Sequence, residues 1–189
     1  CVRELWLTVG ACYAVTMVRG SPNPRYFGLP ARLRKARKPS GLSRAALGQK
    51  VGRDAEVAAY VEAGQRLPTV GTIARLASGL GVSAAWLAYG LGEQTTDGPP
   101  ATCDGMGARL QAIRVERGVT KAGLGRLAGI TAPSITQIEN GGQSGVEVIE
   151  ALAQALGVSP GWLAFGVGPQ VLPSRRRSRQ VAQPAEPEP

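Results

Sequence analysis

The residues able to do chemistry in this chain are charged, and some of them recur. An arginine and a glutamate stand at the same interval twice, Arg37 with Glu62 and Arg114 with Glu139. Such couples can neutralise each other inside a fold, or leave the arginine to hold a phosphate. Their background is basic, with 22 Lys+Arg against 13 Asp+Glu, a net charge of +9 and a pI near 10.2. That balance favours polyanions, nucleic acid ahead of an acidic membrane surface. Catalytic chemistry is poorly represented. The chain has no histidine, and so lacks the usual general base. It shows no clustered carboxylates and no glycine-rich phosphate loop. The three cysteines, Cys1, Cys12 and Cys103, form no CxxC pair. Without histidine they make no zinc finger, so no metal, no cofactor and no enzymatic role are expected. At least one cysteine is left unpaired, which suits a reducing cytoplasm.

The elements that must position these residues are written twice, from about Leu29 to Gly92 and from about Met106 to Gly168. Both copies close on Gly-Val-Ser-x-x-Trp-Leu-Ala, at Gly81 to Ala88 and at Gly157 to Ala164. A repeat of this length is a small domain rather than a solenoid unit. Each copy is near the size at which one helical core just suffices, so mutual packing would help it. The charge is uneven: residues 28–93 carry +6, residues 105–168 only +1.

In the first copy Leu29, Leu33 and Ala36 share a helical face that ends at Pro39 and Gly41. Ser43 opens a second helix with Leu47 and Val51 inward, broken at Gly52. A third runs from Asp54 to about Ala63, with Ala58 and Val61 inward. Thr69 opens a fourth carrying Val70, Ile73, Leu76, Ala77 and Leu80, and Ser83 caps a short fifth bearing Trp86 and Leu87. The second copy repeats this path. Met106, Leu110 and Ile113 line its first helix. Thr120 caps the second, with Leu124 and Ala128 inward, and Thr131 caps the third, with Ile135 and Ile138 inward. Val146, Ile149, Leu152, Ala153 and Leu156 form the fourth stripe, and Ser159 with Pro160 opens the fifth.

The join between the second and third helices is a very short turn on Gly52 or Gly129. Glycine there can take positive φ and swing the chain into the third helix. This is a helix-turn-helix arrangement, which leaves the first turn of the third helix free to enter a major groove.

Val119 through Gly141, followed by Ala155 through Gly166, resembles the Cro/CI-type helix-turn-helix family, the domain of lambdoid phage repressors and many bacterial XRE-type regulators. The resemblance covers all of the second copy. The first copy matches at Leu42 through Gly52, at Glu62 and at Gly81 through Gly90, and more weakly in its third helix. It implies an all-α fold of two tandem five-helix repressor-headpiece (lambda-repressor-like) domains, to which composition adds disordered ends. It also implies that the third helix reads DNA. Carried onto the second copy, the base-facing candidates are Thr131, Ala132, Pro133, Ser134 and Gln137. Gln137 can pair bidentately with adenine and Ala132 can touch a thymine methyl. Ala132 and Pro133 replace the long polar side chains often found there, which shifts weight to phosphate contacts and DNA shape. Phosphate candidates are Lys121, Arg44, Lys50 and Arg53. Lys121 stands where the family usually has glutamine. The resemblance further implies structural ion pairs for Arg37 with Glu62 and Arg114 with Glu139, and packing roles for Trp86 and Trp162. In the first copy Asp54 and Glu56 occupy the start of the third helix. They suit a helix N-terminus but face phosphates badly.

The expected organisation is an N-terminal extension (1–25, with Met17 read as the natural start), a divergent domain (26–92), a linker (93–105), a second domain (106–168) and a tail (169–189). The tail is basic at Arg175 to Arg179, then rich in Pro and Glu. The expected function is sequence-specific binding of double-stranded DNA by a bacterial or phage regulator, a repressor, in the cytoplasm and on the nucleoid. No membrane is implied, and homodimerisation stays open. The rivals are an antitoxin-like or scaffold module whose first domain binds a protein partner, and charge-driven non-specific DNA binding.

Overall fold

The computed structural model describes residues 28–95 and 102–171. The expectations placed on the extension, on Met17 and on Arg175 to Arg179 lie outside the described residues, as does the linker centre, 96–101. Every regular element among the described residues is helical. They are α1 (Gly28–Arg37), α2 (Arg44–Lys50), α3 (Val57–Glu62), α4 (Val70–Leu80), α5 (Ala84–Tyr89), α6 (Met106–Glu116), α7 (Lys121–Ala128), α8 (Ala132–Glu139), α9 (Val146–Leu156) and α10 (Pro160–Phe165). A single 3-10 turn, Lys38–Ser40, follows α1. No helix among the described residues is long and apolar enough to cross a membrane. The chain divides into two compact units, one ending at Leu67 and one starting at Pro68.

The first unit holds α1, α2 and α3. Leu29, Leu33 and Ala36 of α1, Leu47 of α2, and Ala58 and Val61 of α3 are buried. α3 packs on both α1 and α2. It starts later than the sequence suggests. Asp54, Ala55 and Glu56 form a turn closed by the Val57 N–H donating to the Asp54 carbonyl at 3.0 Å. Glu56 sits at the cap position without a side-chain cap bond. Its carboxylate accepts from the Tyr60 hydroxyl instead.

The second unit holds α4 through α10. α4 packs on α5, α6 on α8, α7 on α8 and α9, and α10 on α5, α6 and α9. Val70, Ile73, Leu76, Leu87, Leu110, Ile113, Leu124, Ile135, Ile149, Leu152 and Leu163 are fully enclosed. Val51 and Ala128, expected inward, are only half-buried, because each closes its helix at the turn. The Arg109 guanidinium donates to the carbonyls of Leu163 (3.0 Å) and Ala164 (2.9 Å), which the end of α10 leaves without helical partners.

Hydroxyl caps set the starts. Ser43, Thr69, Ser83, Thr120, Thr131 and Ser159 each accept a backbone N–H from the first turn of the helix that follows. Each such cap is worth about 1 kcal/mol against alanine. α9 breaks the pattern: its cap position is Gly145, which has no side chain to accept. The Glu147 carboxylate folds back into the space where a Cβ on Gly145 would stand. One of its oxygens, Oε2, is buried without a hydrogen-bond partner.

Burial raises the Glu147 carboxyl above the ordinary carboxylate range, and a backbone hydrogen bond only partly opposes this. A carboxyl raised on folding holds more protons folded than unfolded. Its stabilising contribution is therefore present at low pH and lost as pH rises through the folded value. Glu147→Gln is expected to raise the thermal midpoint at neutral pH, with the gain shrinking as pH falls toward about 4. Melts across that range check this, and an unchanged neutral midpoint contradicts it.

Candidate nucleic-acid interface

The turn between α7 and α8 is built on two glycines. Gly129 takes φ 70 and its N–H donates to the Gly125 carbonyl. The Ile130 N–H donates to the same carbonyl at 2.9 Å. A Cβ on Gly125 would stand 2.4 Å from the Ile130 carbonyl oxygen, so the turn backbone lies directly on α7. The first copy is built alike. Gly52 takes φ 64, the Arg53 N–H donates to the Gly48 carbonyl at 3.0 Å, and a Cβ on Gly48 would meet the Asp54 carbonyl at 2.5 Å. No side chain larger than hydrogen fits at Gly48 or Gly125 without moving backbone. Sequence reasoning marked Gly52 and Gly129 and passed over Gly48 and Gly125. Their recurrence at one repeat position was the available signal.

A third close approach seats α6 on the end of α8. A Cβ on Gly107 would lie 2.4 Å from the Glu139 carbonyl oxygen. The crossing brings Arg114 to Glu139, with Nε at 2.6 Å from Oε1 and Nη2 at 3.3 Å from Oε2. The remaining guanidinium nitrogen, Nη1, donates to the Val119 carbonyl at 3.0 Å, fixing the loop ahead of α7. Lys121, at the start of α7, sets its Nζ 3.2 Å from Glu139 Oε2. In the first copy Arg37 grips Glu62 at 2.6 and 3.1 Å and donates to the Leu42 carbonyl at 2.6 Å. Arg44 adds a bond to Glu62 at 2.9 Å, and Arg34 stands 3.9 Å away.

The two carboxylates are almost wholly enclosed, at 1% and 3% side-chain exposure. Burial alone would push them up. The hydrogen bonds from Arg37 and Arg44, and from Arg114 and Lys121, outweigh it and hold both below the ordinary range. Arg44 and Lys121 nonetheless keep 53% and 37% of their side chains exposed. Two of the phosphate candidates therefore also anchor the fold. Lys50 and Arg53 lie on the exposed surface near the first copy's turn.

On α8, Pro133 and Gln137 are exposed, while Ala132 and Ser134 are half-buried. Thr131 is exposed but occupied: its hydroxyl accepts from the Ser134 N–H and shares a 2.8 Å hydrogen bond with the Ser134 hydroxyl. That leaves Gln137 as the long polar side chain on this face. α3 presents a different surface, where Asp54 and Glu56 are exposed, Tyr60 is bonded to Glu56, and the Arg66 guanidinium lies 5.3 Å over the Tyr60 ring. Trp86 and Trp162 are half-buried at matching places on α5 and α10.

Removing Arg114 leaves the enclosed Glu139 with the partly exposed Lys121 as its cation. Arg114→Ala is expected to cost about 3 kcal/mol, read by urea denaturation. The contribution of both carboxylates is present at neutral pH and fades as pH falls through their lowered folded values. A loss under about 1 kcal/mol would show that Lys121 and water suffice to neutralise Glu139.

No solved structure matches the chain. A family model described as "Helix-turn-helix domain" matches it twice, over residues 29–88 and 106–164. Together the matches span more than half of the sequence. The chain belongs to the helix-turn-helix family, as a DNA-binding protein of the Cro/CI kind that carries the domain in tandem.

Proposed function

We propose that the protein is a transcription regulator of bacterial or phage type that recognises a particular duplex sequence and represses by occupying it. The observation that carries this reading is the outward face of α8. Gln137 is exposed there, with Pro133 beside it, while the neighbouring hydroxyls serve the helix cap. In this reading Gln137 pairs with adenine, and Ala132 and Pro133 present apolar surface to thymine methyls. Thr131 and Ser134 position the helix end rather than read bases. Lys121 and Arg44 meet phosphates with the exposed part of their side chains, and Lys50 and Arg53 join them. The domains act as 26–92 and 106–168, and where both engage one face of the duplex their half-sites lie about 34 Å apart. Occupancy needs no chemical step.

The first copy holds the backbone more than it reads bases, because Asp54 and Glu56 stand where base-reading side chains would. A second reading is favoured by that acidic turn and the tethered Tyr60: α3 meets a protein partner instead of DNA. Neutralising the acids separates the two. Asp54→Asn with Glu56→Gln is expected to tighten binding to all duplexes alike, whereas unchanged DNA affinity favours the partner.

Selection from random duplexes at several salt concentrations tests the main reading. A motif that persists at moderate salt supports it, and binding that fades uniformly leaves only charge. Gln137→Ala is expected to relax preference at one position by about 1–3 kcal/mol. Lys50→Ala is expected to weaken every sequence alike and reduce the salt slope by about 1. Equal loss on all sequences from both changes would refute the role of Gln137.

A further inference from the structure

The second unit contains the closing helices of both copies, α4 and α5 from the first and α9 and α10 from the second, and they meet in a reciprocal way. Thr69, the cap of α4, forms an isolated antiparallel bridge with Gly145, the cap of α9. The Val70 N–H donates to the Ser144 carbonyl at 2.9 Å, and the Val146 N–H donates to the Pro68 carbonyl at 3.2 Å. Val70 and Val146 hold the same place in the repeat, as do Pro68 and Ser144, so the two bonds are one bond written in both directions.

The same rule holds deeper in the contact. Tyr89 and Phe165 are repeat equivalents at the ends of α5 and α10, and their rings meet at 6.5 Å. Ala85 and Gly161 are equivalents too, and a Cβ on Gly161 would stand 2.9 Å from that of Ala85. A groove of about 450 Å³ beside them is walled by the equivalents Ser83 with Ser159 and Leu91 with Val167. Contacts in which residue i meets its own equivalent, and each bond is returned, are the mark of a two-fold interface between identical partners.

We propose that this contact is a two-fold dimer interface closed within one chain, so that each copy's docking face is consumed by the other and the protein acts as a monomer, one chain per duplex. The copies diverge where a single chain allows it. Gly161 replaces a second alanine, which lets α5 and α10 approach more closely. Tyr89 carries a hydroxyl that Phe165 lacks and donates it to the Val146 carbonyl at 3.3 Å. A homodimer of identical chains could hold neither difference. The stoichiometry on DNA rests on the function proposed above; the closed interface does not.

The full chain tests both parts. Light scattering from dilute to concentrated solution is expected to give the 19.6 kDa of one chain throughout. A mass that doubles with concentration would overturn the closure. Ala85→Cys with Gly161→Cys, in a background with Cys1, Cys12 and Cys103 changed to serine, is expected to oxidise within one chain and leave the mass unchanged: a Cβ at Gly161 would stand 2.9 Å from that of Ala85, so the helices need to part by only about 1 Å to reach the separation of roughly 3.8 Å that a disulfide spans. Bonds formed between chains would overturn it. Bound to a selected duplex, the complex is expected to weigh one chain plus DNA, and two chains per duplex would overturn the stoichiometry. Failure to bind any duplex refutes the DNA reading, while the mass and cross-link still decide the closure.

Discussion

A carboxylate buried at the end of a helix must be neutralised, and three helices of each copy are arranged around that need. Glu139 ends α8 with 3% of its side chain exposed. An ion so enclosed costs several kcal/mol in lost hydration unless cations and donors replace the water. Arg114 from α6 and Lys121 from α7 supply them. The position of α8 relative to α6 and α7 is therefore set by charge as well as by apolar contact. Because Arg114 also holds the carbonyl of Val119, the loop entering α7 is tied to the same point. Glu62 does the same work in the first copy, with Arg37, Arg44 and Arg34 around it. A cation at the start of the second helix is thus already oriented, so less of its side-chain entropy remains to be lost in the phosphate contact proposed for it.

Charge fixes orientation only if the backbones can come close enough, and this is where Gly48, Gly107 and Gly125 act. Each stands where a methyl group would strike another segment's backbone within about 2.5 Å. Gly48 and Gly125 let the turn rest on the second helix, and Gly107 lets the first helix cross the end of the third. The angle at which α8 leaves the body follows from these approaches together with the positive φ of Gly129.

Helix order, caps and the apolar stripes were legible in the sequence because each is a local signal: a hydroxyl before an amphipathic run, a glycine after it, a three-to-four spacing between. The Arg and Glu positions were legible through the repeat and the family resemblance, and the structure brings Arg37 to Glu62 and Arg114 to Glu139 at 2.6 Å. Less was legible where a residue has two uses. Lys121 and Arg44 read as phosphate ligands, and nothing local reveals that each also leans on a carboxylate far along the chain. Thr131 reads both as a cap and as a base-facing candidate, and nothing local reveals that its hydroxyl also bonds to that of Ser134. The start of α3 was set too early because Asp54 and Glu56 look like capping residues. The competing acceptor role of Glu56 toward Tyr60 depends on side-chain geometry. The meeting of α5 with α10 was not readable at all, since Tyr89 and Phe165 look like ordinary closing residues until their rings are seen together.

The two copies agree in what holds them together and differ in what they show. The paired glycines, the buried glutamate and its arginine, and the closing helices recur with little change. The outward faces of α3 and α8 share almost nothing: an acidic turn and a tethered tyrosine on one, a proline and a free-standing glutamine on the other. Two identical chains around a dyad cannot do this, because any change on one face appears on both. Joining the copies in one polypeptide removes that constraint, since each face then changes alone while the framework that aims it is kept. For the function proposed above, the duplex then need not be a palindrome, and one copy is free to supply affinity through phosphates while the other supplies discrimination through bases.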